Sequence, residues 1–301
     1  MARILTLGMA VLDHVFQLPA FPESGEKYRA ESYRAQIGGP ATVAALAIQR
    51  LGGSASLCAR LGEDANSRTI MAELDAAGVD WSPSVVLPGA VAPVSAVYID
   101  EDGERQIVNF RGKDLAVSAD MLSESLLDGV DAVLLDPRWP EGAERLAALA
   151  ARRGIPSVLD AESDLEALEG AMALCTHIAF STQGLRSYSG EEDVVLGLKY
   201  CAERFKAWLG VTHGEKGVIY LDQGGVAHVA AFAVRTLDTL GAGDVWHGAF
   251  ALGLGEGRSV FQAVRFANAA AGLKCMNGTG QEALPGREET LALMTGGGTL
   301  H

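Results

Sequence analysis

Cysteine is scarce in this sequence, and none of it is arranged for bonding. The four cysteines, Cys58, Cys175, Cys201 and Cys275, lie far apart and form no Cys-x-x-Cys or Cys/His grouping. That argues against a disulfide scaffold and a zinc centre, and the reading is reduced, buried thiols in a cytoplasmic protein. Positive charge is also short: 24 lysines and arginines stand against 38 aspartates and glutamates, a formal net charge of −14. A chain so acidic is a poor partner for nucleic acid or an anionic membrane, although a few local cations can still dominate one pocket. Long apolar runs are missing. The N-terminal Met1-Ala-Arg-Ile-Leu-Thr-Leu-Gly is followed closely by Asp13, so it reads as a first strand rather than a leader. No stretch approaches the ~20 apolar residues of a membrane span.

What is present is a globular composition, 49% hydrophobic and 21% charged over 301 residues. That suffices for a large core, as one α/β domain or one with a small appendage. The most informative stretch is Asp238-Thr239-Leu240-Gly241-Ala242-Gly243-Asp244, running into Val245-Trp246-His247-Gly248-Ala249-Phe250. A Gly-Ala-Gly turn before an apolar, proline-free segment predicts a loop opening onto a helix. The amides of 241–243 are then bare beside the positive end of the helix dipole, a site for phosphate or for charge on a transferring phosphoryl group. Asp244 falls in the first turn, where its carboxylate can accept a proton from an attacking hydroxyl. A glycine turn with an aspartate cap accounts for the same residues without chemistry.

Residues 4–7 form a short apolar strand, and Asp13 follows near its carboxyl end. Ligands bind there in open α/β sheets, although a turn aspartate is equally compatible. Residues 14–36 carry two prolines and no helical period, and 91–111 has a hairpin pattern, with runs 95–99 and 105–110 around Asp102-Gly103. Ile37-Gly38-Gly39-Pro40 opens a helix over 42–51 that Gly52-Gly53 closes. The di-glycine admits a ligand close to backbone, or simply makes a tight strand-to-helix turn. A strand over 56–61, Gly62-Glu63-Asp64 and a helix reaching Ala77 come next. Strands at 132–135, 157–159 and 178–180 then alternate with helices at 141–153, 163–173 and 192–208. This predicts an α/β fold with a doubly wound, mostly parallel central sheet and helices on both faces. Thr212-His213-Gly214-Glu215-Lys216-Gly217 links two further strands and alone reads as a hairpin turn. A helix over 259–275 is rich in small residues, consistent with close packing, and the glycines after Met294 predict a mobile end.

The 238–244 run, the di-glycine at 38–39 and the Thr-x-Gly-x-x-Gly at 212–217 together resemble the signatures of the ribokinase-like (PfkB) carbohydrate kinases. The resemblance extends over nearly the full length. It implies one ribokinase-like kinase domain over 1–301, with a small β-sheet lid formed by about 14–36 and 91–112. It also implies ATP as phosphoryl donor with Mg²⁺, Asp244 as catalytic base, and the amides of Gly241, Ala242 and Gly243 as anion hole. Asp13, Gly38 and Gly39 would hold the sugar. Thr212, Gly214, Gly217, Gly243, Ala267 and Ala271 would border the nucleotide. The lid would exclude water and, pairing with a second copy, make a homodimer.

Two departures from the family pattern bear on substrate and metal. Val43 stands where many sugar kinases carry asparagine, so the sugar must be gripped differently from ribose. Ser181 and Gly184 stand where many carry the ends of Asn-x-x-Glu, so no direct metal ligand is assigned. Lys27, Asn109 and Arg138, the last in Leu135-Asp136-Pro137-Arg138-Trp139, fall where they would ring the far end of a sugar. A solvent-exposed lysine and a surface arginine are the ordinary explanation for any one of them, but taken together they suit an anionic group, and an arginine fork matches an oxyanion. With Glu23–Tyr28, Ile107–Phe110 and Ala179–Ser181 these pieces resemble the 6-deoxy-6-sulfofructose kinases of the family. By that resemblance the three residues bind the sulfonate and phosphate goes to the C1 hydroxyl. The rivals are a phosphorylated ketose, 2-keto-3-deoxygluconate or a nucleoside as acceptor, or a non-catalytic sugar-binding regulator.

Overall fold

Runs such as Ala132-Val133-Leu134-Leu135 offer no polar position, and a strand of that kind needs cover on both faces. The computed structural model, which describes residues 1–101 and 103–296, supplies it. In chain order the elements are β1 (Arg3–Gly8), β2 (Val11–Gln17), β3 (Ser32–Gly38), α1 (Pro40–Arg50), β4 (Ser54–Leu61), α2 (Ala65–Ala76), β5 (Val85–Val86), β6 (Val94–Ile99) and β7 (Arg105–Phe110). After these come β8 (Ala132–Leu135), α3 (Pro140–Arg153), β9 (Ser157–Ala161), α4 (Glu169–Leu174), β10 (His177–Ser181), α5 (Thr182–Ser189) and α6 (Val194–Ala202). The chain closes with β11 (Trp208–Thr212), β12 (Val218–Asp222), β13 (Gly225–Val229), α7 (Ala242–Gly255), α8 (Val260–Asn277) and α9 (Arg287–Met294).

Two sheets result among the described residues. The large one has the order β13-β12-β11-β10-β9-β8-β1-β4-β5, parallel from β5 through to β11 and antiparallel at β12 and β13. Successive strand residues point to opposite faces, and the core divides accordingly. Ile4, Leu134 and Val158 pack with Ile48, Phe250 and Phe266 from α1, α7 and α8. Leu5, Val133 and Leu159 pack with Leu146, Met172 and Leu198 from α3, α4 and α6. The small sheet has the order β3-β2-β6-β7 and is antiparallel except for β2 beside β6. Strands β6 and β7 lie within the expected 91–112, but β2 starts at Val11 and β3 runs to Gly38, beyond the expected 14–36, so Asp13 and Gly38 are strand residues.

Other departures are local. The helix expected over 192–208 stops at Ala202, because the Cys201 carbonyl takes the amides of Arg204 and Phe205 and turns the chain into β11. The segment 163–173 divides into a 3₁₀ turn, Leu165–Leu168, and α4. Helix α5 was not anticipated; Ser181 caps it by accepting the Gly184 amide at 2.9 Å. Met294 closes α9 rather than opening a tail, and residues 297–301 lie outside the described residues, as does Asp102 of the expected hairpin turn. All four cysteines are free. Among the described residues no helix is long and apolar enough to cross a membrane.

Candidate active site

From β1 the large sheet grows one way through β4 and the other way through β8. A crevice opens at the carboxyl ends of strands where the order reverses like this. Asp136, just past β8, closes its floor. Its carboxylate accepts the amides of Met9 (2.7 Å), Ala41 (3.1 Å) and Arg138 (2.8 Å), tying β1, the start of α1 and the β8 loop together. Burial pushes its pKa up, against these three amides and Arg138. The sequence reading passed over Asp136. Its signal was an acid between Leu-Leu and Pro at a strand end, where the apolar pattern leaves no other reason for one.

The di-glycine is explained by close approach. A Cβ on Gly38 would fall 2.0 Å from Asp13 Oδ2, and one on Gly39, whose φ is +98°, would fall 2.4 Å from the Met9 carbonyl. Any side chain at either position would displace Asp13 or the end of β1. Asp13 stands in the third position of β2, in register with Gln36 of β3 and Ser95 of β6, and Ser95 is in register with Asn109 of β7. One polar row thus crosses all four strands: Gln36, Asp13, Ser95, Asn109. Asn109 donates to Ser95 Oγ at 3.1 Å. Burial raises the Asp13 pKa, opposed by its Ser95 hydrogen bond and by His14.

The 238–244 run forms the start of α7 as its small residues predict. Gly241 is the cap residue at φ +75°, with no side-chain cap. The Ala242 amide is taken by the Thr239 carbonyl at 3.1 Å, while the amides of Gly241 and Gly243 have no partner among the described residues. The three-amide hole therefore narrows to two, because the turn that makes it uses the third. Asp244 lies in the first helical turn. Burial pushes its pKa up to about 7, reinforced by Asp160 and Glu162 and opposed by His247. His247, one turn on, packs its Nδ1 2.8 Å from the Gly243 carbonyl and its Nε2 3.6 Å from Asp160.

Residues from all three features line one cavity of about 1270 Å³, although Ala242 and Gly243 are not among them. Asp13, Gly38, Gly39, Asn109, Arg138, Gly241 and Asp244 all face it, with Gln36, Ser95, Arg60, Arg111 and Lys274 that sequence reasoning missed. Lys27 does not: it is exposed in the middle of the segment between β2 and β3, which bonds to the sheet near its ends, through the amides of Leu18 to Ile99 and of Glu31 to Gln17. Arg138 reaches the cavity while held by Glu162 and by Ser163 Oγ at 2.9 Å. Arg60 donates to the Arg138 carbonyl at 2.9 Å and stacks over Trp139.

Thr212, Gly214 and Gly217 gather off this cavity, at the end of β11, where Thr182 Oγ1 donates to the Thr212 carbonyl at 2.9 Å. Ala267, on the core side of α8, is fully buried and offers no surface to a nucleotide. Ala271, one turn on, is only half-buried. Small size at 267 therefore serves helix packing, as the plainer reading of that helix held.

No group of three or more metal-ligating side chains capable of holding an ion occurs among the described residues. Mg²⁺ rarely needs such a cage, since one or two carboxylates plus substrate phosphates suffice. No carboxylate could stand at 184, where a Cβ would fall 2.5 Å from the Ala161 carbonyl. The carboxylates that act on Asp244 are Asp160, whose buried Oδ1 has no hydrogen-bond partner among the described residues, Glu162 and Asp136. This donor set fits a phosphate-bound Mg²⁺.

Comparison with known proteins bears on this arrangement. Residues 1–287 match the profile of the pfkB family carbohydrate kinases. The chain is 25% identical to a ribokinase of Haemophilus influenzae over 98% of its own length and 99% of the other's. It is 27% identical to an ATP-dependent ribose-1-phosphate kinase of Halopiger xanaduensis, covering 91% and 92%. In structure it is similar to a ribokinase candidate from Agrobacterium tumefaciens, with TM-score 0.94, 35% identity and 98% of each chain covered.

Proposed function

The chain belongs to the pfkB family of carbohydrate kinases and is an ATP-dependent sugar kinase; we propose that its acceptor is an anionic ketohexose, 6-deoxy-6-sulfofructose, phosphorylated on the C1 hydroxyl. The observation that carries this is the cation set of the cavity. In a chain of net charge −14, Arg60, Arg111 and Arg138 converge on one pocket with Asn109. A neutral sugar needs none of them, and a planar guanidinium fork matches a sulfonate or phosphate.

In this reading Asp13 and the polar row beside it hold the sugar hydroxyls, and the backbone of Gly38 and Gly39 lets the sugar lie close. Asp244 takes the proton of the attacking hydroxyl, and the amides at the start of α7 stabilise charge on the transferring phosphoryl group. Its raised pKa suits a base that must release the proton again near neutral pH. Arg138, freed from Glu162, turns to the anionic end, with Asn109 from the lid and Lys27 only if its segment folds inward. Thr212, Gly214, Gly217 and Ala271 lie on the nucleotide side. Glu162 and Asp160 would hold Mg²⁺, which would supply positive charge against the donor phosphates. The outer face of the small sheet exposes Tyr33, Val108 and Phe110, an apolar surface suited to a second copy.

The test is ADP release with MgATP across 6-deoxy-6-sulfofructose, fructose 6-phosphate, ribose 1-phosphate, fructose, ribose, 2-keto-3-deoxygluconate and adenosine. Preferred turnover of the sulfosugar is expected. Preference for a sugar phosphate would keep the anion pocket and change its ligand. Preference for fructose or ribose would discard the pocket.

A further inference from the structure

Lys274 is 2% exposed, an ammonium almost wholly withdrawn from water on the last turns of α8. Its Nζ donates to the Gly278 carbonyl at 2.7 Å and to Asp238 Oδ2 at 3.4 Å. Asp238 begins the loop that leads to the α7 amides. Its other oxygen, Oδ1, accepts the Leu240 amide at 2.9 Å and the guanidinium of Arg105 from β7. One carboxylate is therefore gripped from three sides, and the buried cation lies directly behind the anion-binding turn. Burial disfavours the charged lysine, and Asp238 offsets this. As a stabilising device such a buried pair is weak, since desolvation cancels most of the attraction. No step proposed above uses it.

A carboxylate and a carbonyl converging on one point form an oxygen donor set for a monovalent cation, and the chain has put its own ammonium there. We propose that Lys274 is a built-in monovalent cation that holds the 238–243 loop in its anion-binding form, so that phosphoryl transfer requires no K⁺, Na⁺ or NH₄⁺ from solution. Tethered to α8, it surrenders no translational freedom on each encounter, and its charge adds to the field at the amides of Gly241 and Gly243. This positioning role presupposes the kinase reading of that loop.

The experiment compares sugar-dependent ADP release in sodium, potassium, ammonium and tetramethylammonium salts at constant ionic strength, for wild type, Lys274→Ala and Lys274→Met. Crystals of Lys274→Ala soaked in Rb⁺ provide a readout independent of turnover. Wild type should be indifferent to the cation. Lys274→Ala should lose ~10–100-fold in kcat in tetramethylammonium, the value of a charge-assisted contact, and recover in ammonium or potassium, with Rb⁺ between Asp238 and Gly278. Lys274→Met, whose side chain fills the space, should not recover. Strong K⁺ stimulation of wild type would overturn the proposal, as would full activity of Lys274→Ala in tetramethylammonium, or a folded Lys274→Ala that no cation rescues. If neither variant folds, the wild-type series decides. If no sugar is turned over in any salt, the acceptor has been misjudged, and the Rb⁺ position alone decides.

Discussion

The nine-stranded and four-stranded sheets meet at one cavity but are held in place by different means. Strands β8 and β9 are buried at every position, between two apolar layers. Among the described residues the small sheet has a separate apolar cluster of just Val15, Val97 and Ile99, and β7 is exposed along most of its length. Asp244 and the α7 amides rise from the first construction; Asp13, Ser95 and Asn109 from the second. In the proposed reading the first set moves a proton and binds phosphate, which needs fixed geometry, and the second encloses a sugar that must be let in and out. The Arg105–Asp238 pair joins the two, pinning β7 to the loop before α7.

If that division holds, the largest effect belongs to the rigid side. Asp244→Asn should lower kcat by roughly 10²–10⁴-fold with sugar binding largely kept, measured by steady-state kinetics and calorimetric titration of the sugar. Near-normal turnover would remove Asp244 as the base. On the sugar side, Arg138→Ala should raise KM and lower kcat/KM for an anionic sugar by ~10–100-fold, the range for a lost charge-assisted hydrogen bond. Its kcat should be little changed and Lys27→Ala milder, and equal losses with a neutral sugar would show that Arg138 does not read the anion.

The pH profile sharpens the rigid side further. A carboxylate raised to about 7 is protonated below that value and cannot accept a proton. So kcat/KM should fall about tenfold per unit as pH drops below it. Asp160, Glu162, His247 and Asp136 act on Asp244. Removing one negative neighbour, as in Glu162→Gln, should move the inflection to lower pH. A profile flat down to pH 5 would refute the assignment. The smallest effect on turnover is expected at the lid surface. Val108→Asp, at a position 62% exposed, should convert a dimer to a monomer in light scattering while the chain stays folded. An unchanged mass would show that this face is not where copies meet.

Much of this was legible in the residues. The 238–244 run could be read because its chemistry is local: small residues, a glycine turn and a helix start are consecutive in the chain. The strands of the large sheet were legible for a similar reason, since uniformly apolar runs between helices have few other uses. The polar row Gln36–Asp13–Ser95–Asn109 was not. Each of its members sits on a strand whose alternation gives a face, but only the pairing register aligns four strands residue by residue. Ala267 misled because small residues on a helix serve packing and ligand approach alike until burial separates them.

The amino-acid sequence by itself determined the α/β architecture, the glycine turn that opens α7 and the place of Asp244, because hydrophobic period and backbone permissiveness act over a few neighbouring residues. Only the tertiary structure decided that Asp136 ties three segments together and that Arg60 and Arg111 join Arg138. It alone put Lys274 behind the 238–243 loop and left Lys27 outside the cavity. Those outcomes depend on distance and burial between residues far apart in the chain, which no local pattern encodes.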